Sequence, residues 1–494
     1  MSNPKVNITI WPDRRKHIIS PMLHGQNIEN LGQIIYDGIW IEEDSGYSKY
    51  SGIRTELVDS VREIRAGVIK WPGGPSCETY HWEDGIGERK SRPTRRNIYW
   101  GGSDPNSFGT VEFIDLCRKV NAQPVICLNA GTGSIKEAAE WLEYCNFRGN
   151  SKLSSMRKEN GHDQPFNVTY WSFGYQPWDY LSPSQYCMEF QRCSSLLKES
   201  DPSIQLIACG KDEKWNLSFF QNLENNLNLI DLFSIKSTFS SRQAGGGSHP
   251  ETEQEYYAIF GYVPMLHSHL VGALNLLNKV EREGKRIGLV LDQWGIHHPG
   301  AVIETGMHQP TTLRDALVTG YLLHLFYHLS DYLTMANLSY MVNGLHTLMV
   351  TRKELIVKTP VYYIFELLAN HTANTMIKTR VDSPLIKIKT QSGNRKIPVV
   401  DVFASINSSY NQITITLINI HIEKQAKVKI NIKGTDSVKK GFITSLTADS
   451  PNDENSFISP HLVKPQNNIL NETKNPLEHT LPPHSAVKIN IRLT

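Results

Sequence analysis

The sequence predicts an α/β fold, namely a (β/α)8 TIM barrel followed by a C-terminal antiparallel β-sandwich domain. Three observations support this prediction. Short apolar runs alternate with amphipathic segments between about residues 18 and 340. The pattern then changes to strict alternation after about residue 370. A chain of 494 residues is also long enough for one large barrel and a smaller second domain.

Eight short runs rich in Val, Ile, Leu and Phe are predicted to be the barrel strands. Such runs are typical of parallel strands that are covered on both faces. The predicted strands are Ile19–Gly25, Val68–Pro72, Pro124–Asn129, Thr169–Gly174, Gln205–Cys209, Leu232–Ser237, Ile287–Asp292 and Tyr332–Leu338. In a barrel of this kind the active site lies at the carboxyl ends of the strands.

Amphipathic segments between these runs predict the helices that surround the barrel. Ser182-Pro183 and Ser134 are typical helix starts, because a serine side chain can cap the first free backbone N–H groups. The predicted helical segments are Glu112–Val120, Ile135–Asn146, Pro183–Lys198, Glu251–Glu283 and Thr311–Leu329.

The C-terminal part alternates apolar and polar residues, as in strands with one wet face. The pattern is regular in Gln412–Leu417, Lys427–Ile432 and Val487–Ile491. Val6–Ile10 alternates in the same way, so we expect this N-terminal strand to join the C-terminal sheet.

We therefore assign residues 16–365 to the barrel, and residues 1–15 with 366–494 to the sheet domain. The polar, Asn- and Pro-rich stretch Asp449–Pro476 is predicted to be a long loop.

The composition argues against several classes of partner. The formal net charge is only +2, from 51 basic and 49 acidic residues, so no strong field favours nucleic acid or an anionic membrane. No apolar stretch approaches the length of a membrane span, and the N-terminus lacks the apolar region of a signal peptide.

The seven cysteines follow no metal-binding or redox spacing, and their number is odd. Buried free thiols in a reducing cytoplasm are the simplest interpretation, and we expect a cytoplasmic protein. The pair His297-His298 is adjacent in sequence, so its rings tend to diverge, and we expect neither a metal nor another cofactor.

Several motifs along nearly the whole chain resemble those of intracellular α-L-arabinofuranosidases of glycoside hydrolase family 51. They are Gly25–Trp40, Trp71–Gly74, Tyr80–Gly87, Trp100–Gly102, Phe108–Thr110, Trp141–Asn146, Arg314–Leu317, Met335–Leu338 and Leu481–Ser485. The resemblance implies a barrel with a β-sandwich, a sugar-like ligand, and a homo-oligomer that is commonly a hexamer.

In that family two glutamates, at the ends of strands four and seven, carry out retaining hydrolysis. The Gly-Asn-Glu motif of strand four is similar to Gly174-Tyr175-Gln176 here, and the Asp-Glu-Trp motif of strand seven to Asp292-Gln293-Trp294. Both acids are therefore amides in this chain. The His-Tyr of strand six aligns with Lys236-Ser237, and Tyr340 replaces a glutamine after strand eight, whereas Glu29 is retained.

The two replacements predict that retaining hydrolysis is lost. Without a general acid the rate falls by roughly 10²–10⁴. Without a nucleophile the covalent route is closed, because a carboxamide does not attack the anomeric carbon. An engineered inactive mutant could carry Glu→Gln at one or both sites, but it would not normally also carry Tyr175, Lys236 and Ser237 around the same pocket. These further changes favour a natural departure from the family.

Three residues are candidates for replacement chemistry, each with a simpler alternative. Lys236, partly desolvated at a strand end, could act as a base or form a Schiff base. Alternatively it stays charged and pairs with Asp292, Glu29 or a ligand anion. Asp292 precedes Gln293 and should face the other side of the strand, away from catalysis. Glu29 is more simply a hydroxyl acceptor than a proton shuttle.

Aromatic and polar residues at the strand ends are candidates for substrate binding. Sugar faces stack on aromatic rings, although core packing explains Trp71 and Trp294 equally well, and Tyr175 and Tyr340 could simply fill volume. The predicted substrate-binding set is Glu29, Trp71, Tyr175, Trp178, Ser237, Asp292, Trp294 and Tyr340.

Three functions remain open at this point. The first is an arabinofuranosidase-like barrel that has been diverted to another reaction, such as a biosynthetic step on a sugar-like substrate. The second is a non-catalytic carbohydrate-binding pseudoglycosidase. The third is weak or unusual arabinofuranosidase activity through Glu29 or a recruited water.

Overall fold

The computed structural model describes residues 3–42, 52–241, 247–281, 285–390 and 393–493. Eight parallel strands close into a barrel. In chain order the barrel strands are Gly25–Asn27, Val68–Trp71, Gln123–Leu128, Tyr170–Phe173, Gln205–Cys209, Leu232–Ser240, Gly288–His297 and Leu333–Leu338. The predicted fold class is confirmed.

The first barrel strand is shorter and begins later than predicted. Ser20 accepts a hydrogen bond from the Met22 N–H, and Pro21 occupies the first position of a 3-10 turn, Pro21–His24. The predicted strand Ile19–Gly25 is therefore wrong for most of its length, because the Ser-Pro pair starts a turn instead.

All five predicted helical segments contain α-helix within their described residues, whereas Thr55–Glu63, Lys152–Glu159, Glu213–Leu223 and Pro360–Leu368 were not predicted. The predicted segment 251–283 contains two helices joined by a 3-10 turn, Ile259–Gly261. The α-helices are Thr55–Glu63, Thr110–Val120, Ile135–Asn146, Lys152–Glu159, Pro183–Ser200, Glu213–Leu223, Glu253–Ala258, Tyr262–Val280, Leu313–His328 and Pro360–Leu368. None of the helices in the described part of the chain is both long enough and apolar enough to cross a membrane.

The second domain is built on a nine-stranded sheet. From one edge to the other the strands are Gln466–Leu470, Gly441–Leu446, Ser485–Arg492, Gln412–Asn419, Val400–Ile406, Thr375–Asp382, Lys5–Ile18, Ala426–Ile432 and Leu477–Leu481. The N-terminal strand lies inside this sheet, antiparallel to Thr375–Asp382 and parallel to Ala426–Ile432. It runs past the predicted boundary at residue 15.

The predicted long loop at 449–476 contains an edge strand of the sheet, Gln466–Leu470, and the short strand Thr473–Lys474. The sequence of the edge strand, Gln-Asn-Asn-Ile-Leu, does not alternate, because its side chains are largely exposed. A strand at a sheet edge that covers no core carries no period-two signal, which explains why the prediction failed.

A buried polar network joins the sheet to the barrel. His324 on the helix Leu313–His328 contacts the Asp401 carboxylate at 2.7 Å and the Thr416 hydroxyl at 2.6 Å. His371 contacts the same Thr416 hydroxyl at 3.0 Å. Because both histidines are buried and bonded, they fix the helix against the sheet and are not available for chemistry.

Candidate active site at the barrel mouth

The barrel interior is apolar at its lower end and polar toward its mouth. Val68, Val125, Ile207, Val290 and other apolar side chains pack together inside the barrel. Side chains two positions further along a strand point to the same face. Lys70 and Asp292 therefore lie above Val68 and Val290, at the level where the mouth begins.

Lys70 and Asp292 form a buried ion pair across the barrel. The lysine Nζ lies 2.6 and 2.7 Å from the two carboxylate oxygens, and neither side chain is exposed by more than 1%. Burial disfavours the ammonium, but the Asp292 carboxylate more than offsets this effect and raises the pKa of Lys70. Asp292 is thus held by a lysine, below the mouth, and is not presented to a ligand.

A bulge in barrel strand seven turns Gln293 into the same interior. Ile235 is paired with Leu291 and the next residue, Lys236, with Gln293, so Asp292 has no partner in the register with strand six. An extra residue in one strand breaks the alternation of side chains. Asp292 and Gln293 consequently both face inward, whereas simple alternation predicted opposite faces.

Gln293 is held by the residue that follows Gly174 at the end of strand four. The Tyr175 hydroxyl donates to the Gln293 side-chain oxygen in a short hydrogen bond. The tyrosine is buried, and burial raises the pKa of its phenol well above the ordinary value, so the group remains a neutral donor. Its ring therefore lies between the carboxyl ends of strands four and seven.

Glu78, which no sequence motif marks, fixes the turn that carries Tyr175. Its Oε1 accepts the backbone N–H groups of Tyr175 at 2.6 Å and Gln176 at 2.9 Å, and its Oε2 accepts the Tyr180 hydroxyl at 2.7 Å. The carboxylate is 2% exposed. All three donors lie in the segment that follows strand four, and their bonds to Glu78 position the Gln176 backbone at the rim of the mouth.

The same turn depends on glycine at position 174. Gly174 has φ +77°, and a Cβ there would lie 2.9 Å from the Ala130 side chain and 3.3 Å from Glu78. Its carbonyl accepts hydrogen bonds from two buried thiols, Cys127 and Cys209. Burial raises the pKa of Cys209 to about 12, so this thiol is not a nucleophile near neutral pH.

Glu29, the retained carboxylate, lies on the opposite side of the mouth. It accepts hydrogen bonds from the Tyr340 hydroxyl at 2.5 Å, the Trp100 indole at 2.9 Å and the Ser76 hydroxyl at 3.0 Å. Burial raises its pKa, and the three hydrogen bonds oppose this rise. Glu29 and Tyr340 are thus brought together, as neighbours of Tyr175 and Gln293.

Lys236 lies inside the mouth, as predicted for a residue near the end of strand six. Its ammonium donates a short hydrogen bond to the Tyr175 carbonyl and lies over the faces of the Tyr175 and Trp178 rings. Burial lowers its pKa to about 8, and the negative charge of Asp292 opposes this shift. The predicted pairing with Asp292 or Glu29 is not seen, since those carboxylates have other partners.

Three residues predicted to bind substrate have side chains that point away from the barrel interior. Trp71 is buried among Tyr80, Phe108, Phe113 and Trp141, and Trp294 packs against Phe326 and Phe365. Ser237 follows Lys236 and so faces the other side of the strand, where its carbonyl accepts the Tyr262 hydroxyl. Both tryptophans are thus buried in the packing around the barrel, which was the simpler of the two explanations.

All seven cysteines are buried and free. His298 contacts the Ser241 hydroxyl and the Asp315 carboxylate, whereas His297 contacts the Ala301 carbonyl, so the two rings diverge. Among the residues that the structure describes, no three His, Cys, Asp or Glu side chains lie close enough together to hold a metal ion.

Comparisons with known proteins agree with this architecture. Residues 60–242 match the model of the α-L-arabinofuranosidase 1 domain, and residues 292–485 match that of the α-L-arabinofuranosidase C-terminal domain. An intracellular exo-α-L-arabinofuranosidase from Bacteroides ovatus is 32% identical over 469 residues, which cover 93% of this chain and 90% of the relative. The chain belongs to the α-L-arabinofuranosidase family, glycoside hydrolase family 51.

Solved structures of family members are similar over the whole chain. The arabinose complex of the α-L-arabinofuranosidase from Thermotoga maritima has a TM-score of 0.89 at 31% identity. The family 51 arabinofuranosidase from Xanthomonas axonopodis pv. citri has a TM-score of 0.90 at 27% identity. In both comparisons the match covers 99% of this chain and 100% of the other.

Removing the Glu78 carboxylate tests whether it fixes the strand-four turn. Glu78→Ala leaves one buried and one partly buried backbone N–H group without an acceptor, so we expect the free energy of unfolding to fall by roughly 2–4 kcal/mol. Glu78→Gln keeps one acceptor oxygen and should cost less than half as much. Urea unfolding measures both variants.

Glu140→Ala is a matched control, because Glu140 is a partly exposed carboxylate whose partner Lys136 lies 3.5 Å away on the surface. We expect this control to change stability by less than about 0.5 kcal/mol. A Glu78→Ala variant as stable as the control would contradict the role assigned to Glu78.

Proposed function

We propose that this family 51 barrel binds a sugar or sugar-like ligand at its mouth and has lost the retaining hydrolysis of the family. The observation that carries the proposal is the contact between Tyr175 and Gln293. A retaining pair needs two carboxyl groups about 5–5.5 Å apart. In this chain the two positions hold the amides of Gln176 and Gln293, and the Tyr175 phenol is hydrogen-bonded to Gln293.

The surviving carboxylates support the loss of hydrolysis because each is engaged elsewhere. Asp292 pairs with Lys70, Glu78 accepts two backbone N–H groups, and Glu29 accepts three side-chain hydrogen bonds. A carboxylate in such a position would have to give up these bonds before it could attack a sugar or protonate a leaving group. This argues against residual activity through Glu29.

A different reaction that uses the Lys236 amine is the second candidate function. It is favoured by the position of the amine inside the mouth and by burial, which lowers the pKa of Lys236 to about 8 and so brings the free amine closer to neutral pH. A biosynthetic or modifying step on a sugar-like substrate would fit such a group.

We further propose that the protein is cytoplasmic and forms a homo-oligomer, which is a hexamer by the family resemblance. The buried free thiols and the intracellular relative from Bacteroides ovatus support the location.

Restoring the family residues tests the loss of hydrolysis. We expect the native chain to release negligible aryl alcohol from an aryl α-L-arabinofuranoside. The double variant Gln176→Glu/Gln293→Glu should gain little, because the Tyr175 ring still lies against position 293. Adding Tyr175→Asn, the family residue, should raise the rate by at least about 100-fold, the scale of general acid catalysis.

Gln221→Glu makes the same amide-to-acid change on an exposed helical position and should leave the rate unchanged. Release by the native chain at a rate that the triple variant does not exceed would contradict the proposal.

Lys236→Arg tests the second candidate. Arginine keeps the positive charge but neither forms an imine nor gives up its proton near neutral pH. If Lys236 is a reactive amine, this variant should lose any turnover of a substrate while still binding it, as measured by calorimetry. Full turnover in Lys236→Arg would exclude a chemical role for the lysine.

A further inference from the structure

The electrostatic balance of the barrel mouth differs from that of a site with two catalytic acids. Gln176 and Gln293 are uncharged at every pH that a protein experiences. The charge of Asp292 is compensated by Lys70, 2.6 Å away. The charges of Glu29 and Glu78 are spread over three hydrogen bonds each.

Lys236 is a cation without an acidic partner in this setting. Among the described residues no carboxylate lies within ion-pair distance of its ammonium. The ammonium is held instead by the Tyr175 carbonyl and by the faces of Tyr175 and Trp178, the latter at 4.9 Å. An ammonium has three N–H donors, and the carbonyl takes one of them, so donors remain for a ligand.

A second cation lies at the same aromatic ring. Lys211 follows barrel strand five at the rim, and its Nζ lies 5.7 Å from the centroid of the Trp178 ring. Its side chain is exposed, and within the described residues it forms no ion pair. Trp178 is therefore flanked by two ammonium groups, one inside the mouth and one at the rim.

Acidic residues near this rim do not cancel the two charges. Asp212 accepts the backbone N–H of Trp215 and so caps the helix Glu213–Leu223. Asp179, the residue after Trp178, is exposed to solvent. A partly buried ammonium that lacks a counter-ion is costly, and a bound anion would relieve that cost.

We propose that the ligand of the barrel mouth is an anionic sugar, one that carries a carboxylate or a phosphate, and that Lys236 and Lys211 bind its charged group beside Trp178. This inference rests on the proposed function, because it names the class of the sugar-like ligand. The amide side chains of Gln176 and Gln293 are suited to the sugar hydroxyls, since both supply N–H donors and an amide oxygen accepts up to two hydrogen bonds, of which Tyr175 takes one at Gln293. The lysine is mostly protonated at neutral pH, because its pKa is about 8.

Calorimetric titration of the full chain with four probes tests the proposal. The probes are D-glucuronate, D-ribose 5-phosphate, the neutral methyl α-L-arabinofuranoside and inorganic phosphate. We expect one of the two anionic sugars to bind at least about tenfold more tightly than the neutral sugar, as one hydrogen bond to a charged group allows. The preferred anionic sugar distinguishes a carboxylate from a phosphate ligand.

Substitution of the lysines assigns the effect to the site. Lys236→Met should weaken binding of the preferred anion at least about tenfold more than it weakens binding of the neutral sugar, whereas Lys236→Arg should retain most of the affinity for the anion. Lys211→Met should have a smaller effect in the same direction, because its ammonium is exposed. Lys136→Met, on an exposed surface helix, is the matched control and should change nothing.

Equal affinity for neutral and anionic sugars would overturn the inference, as would unchanged anion binding in Lys236→Met. Inorganic phosphate that binds as tightly as the sugar phosphate would also overturn it, because the site would then hold an ion and not a sugar. If Lys236→Met does not fold, Lys211→Met and the salt dependence of binding by the native chain test the inference instead. Added salt should weaken the binding of the anionic sugars and not that of the neutral sugar. None of these results depends on hydrolysis of an aryl arabinofuranoside, whose detection would contradict the proposed function instead.

Discussion

The mouth of this barrel depends on one buried carboxylate, Glu78, and on the two consecutive backbone N–H groups that it accepts from Tyr175 and Gln176. Because both bonds go to the backbone, they fix the course of the chain after strand four and not only one side chain. The Tyr175 ring is thereby directed onto Gln293, and its carbonyl becomes the acceptor of Lys236. One interaction thus links the positions of Gln176, Gln293 and Lys236.

A second constraint lies directly below, in the barrel interior. The Lys70–Asp292 pair is buried and bidentate, so loss of either partner would leave an uncompensated charge. The bulge at Asp292 allows this residue to face Lys70 while Gln293 faces the mouth. The barrel therefore holds a buried ionic layer directly beneath the amide side chain of Gln293.

The fold could be predicted from the sequence because apolar runs and alternation report burial directly. Seven barrel strands and the N-terminal strand of the sheet were found in this way, whereas the edge strand Gln466–Leu470 was missed because it covers no core.

The placement of Lys236 at the mouth followed from its strand end. Glu78 was missed because it lies in a short turn after strand two, close to Glu83 and Asp84, and nothing local distinguishes a buried acceptor from exposed acids. The inward turn of Gln293 depends on a bulge that sequence alternation does not reveal.

The central claim is that no carboxylate in this mouth can form a covalent bond with a sugar. Its most direct test is intact-protein mass spectrometry after incubation with an activated 2-fluoro arabinofuranosyl donor, which traps the glycosyl-enzyme intermediate of a retaining enzyme. The account predicts that the protein mass stays unchanged. A stoichiometric glycosyl adduct on Glu29, Glu78 or any other carboxylate would contradict it.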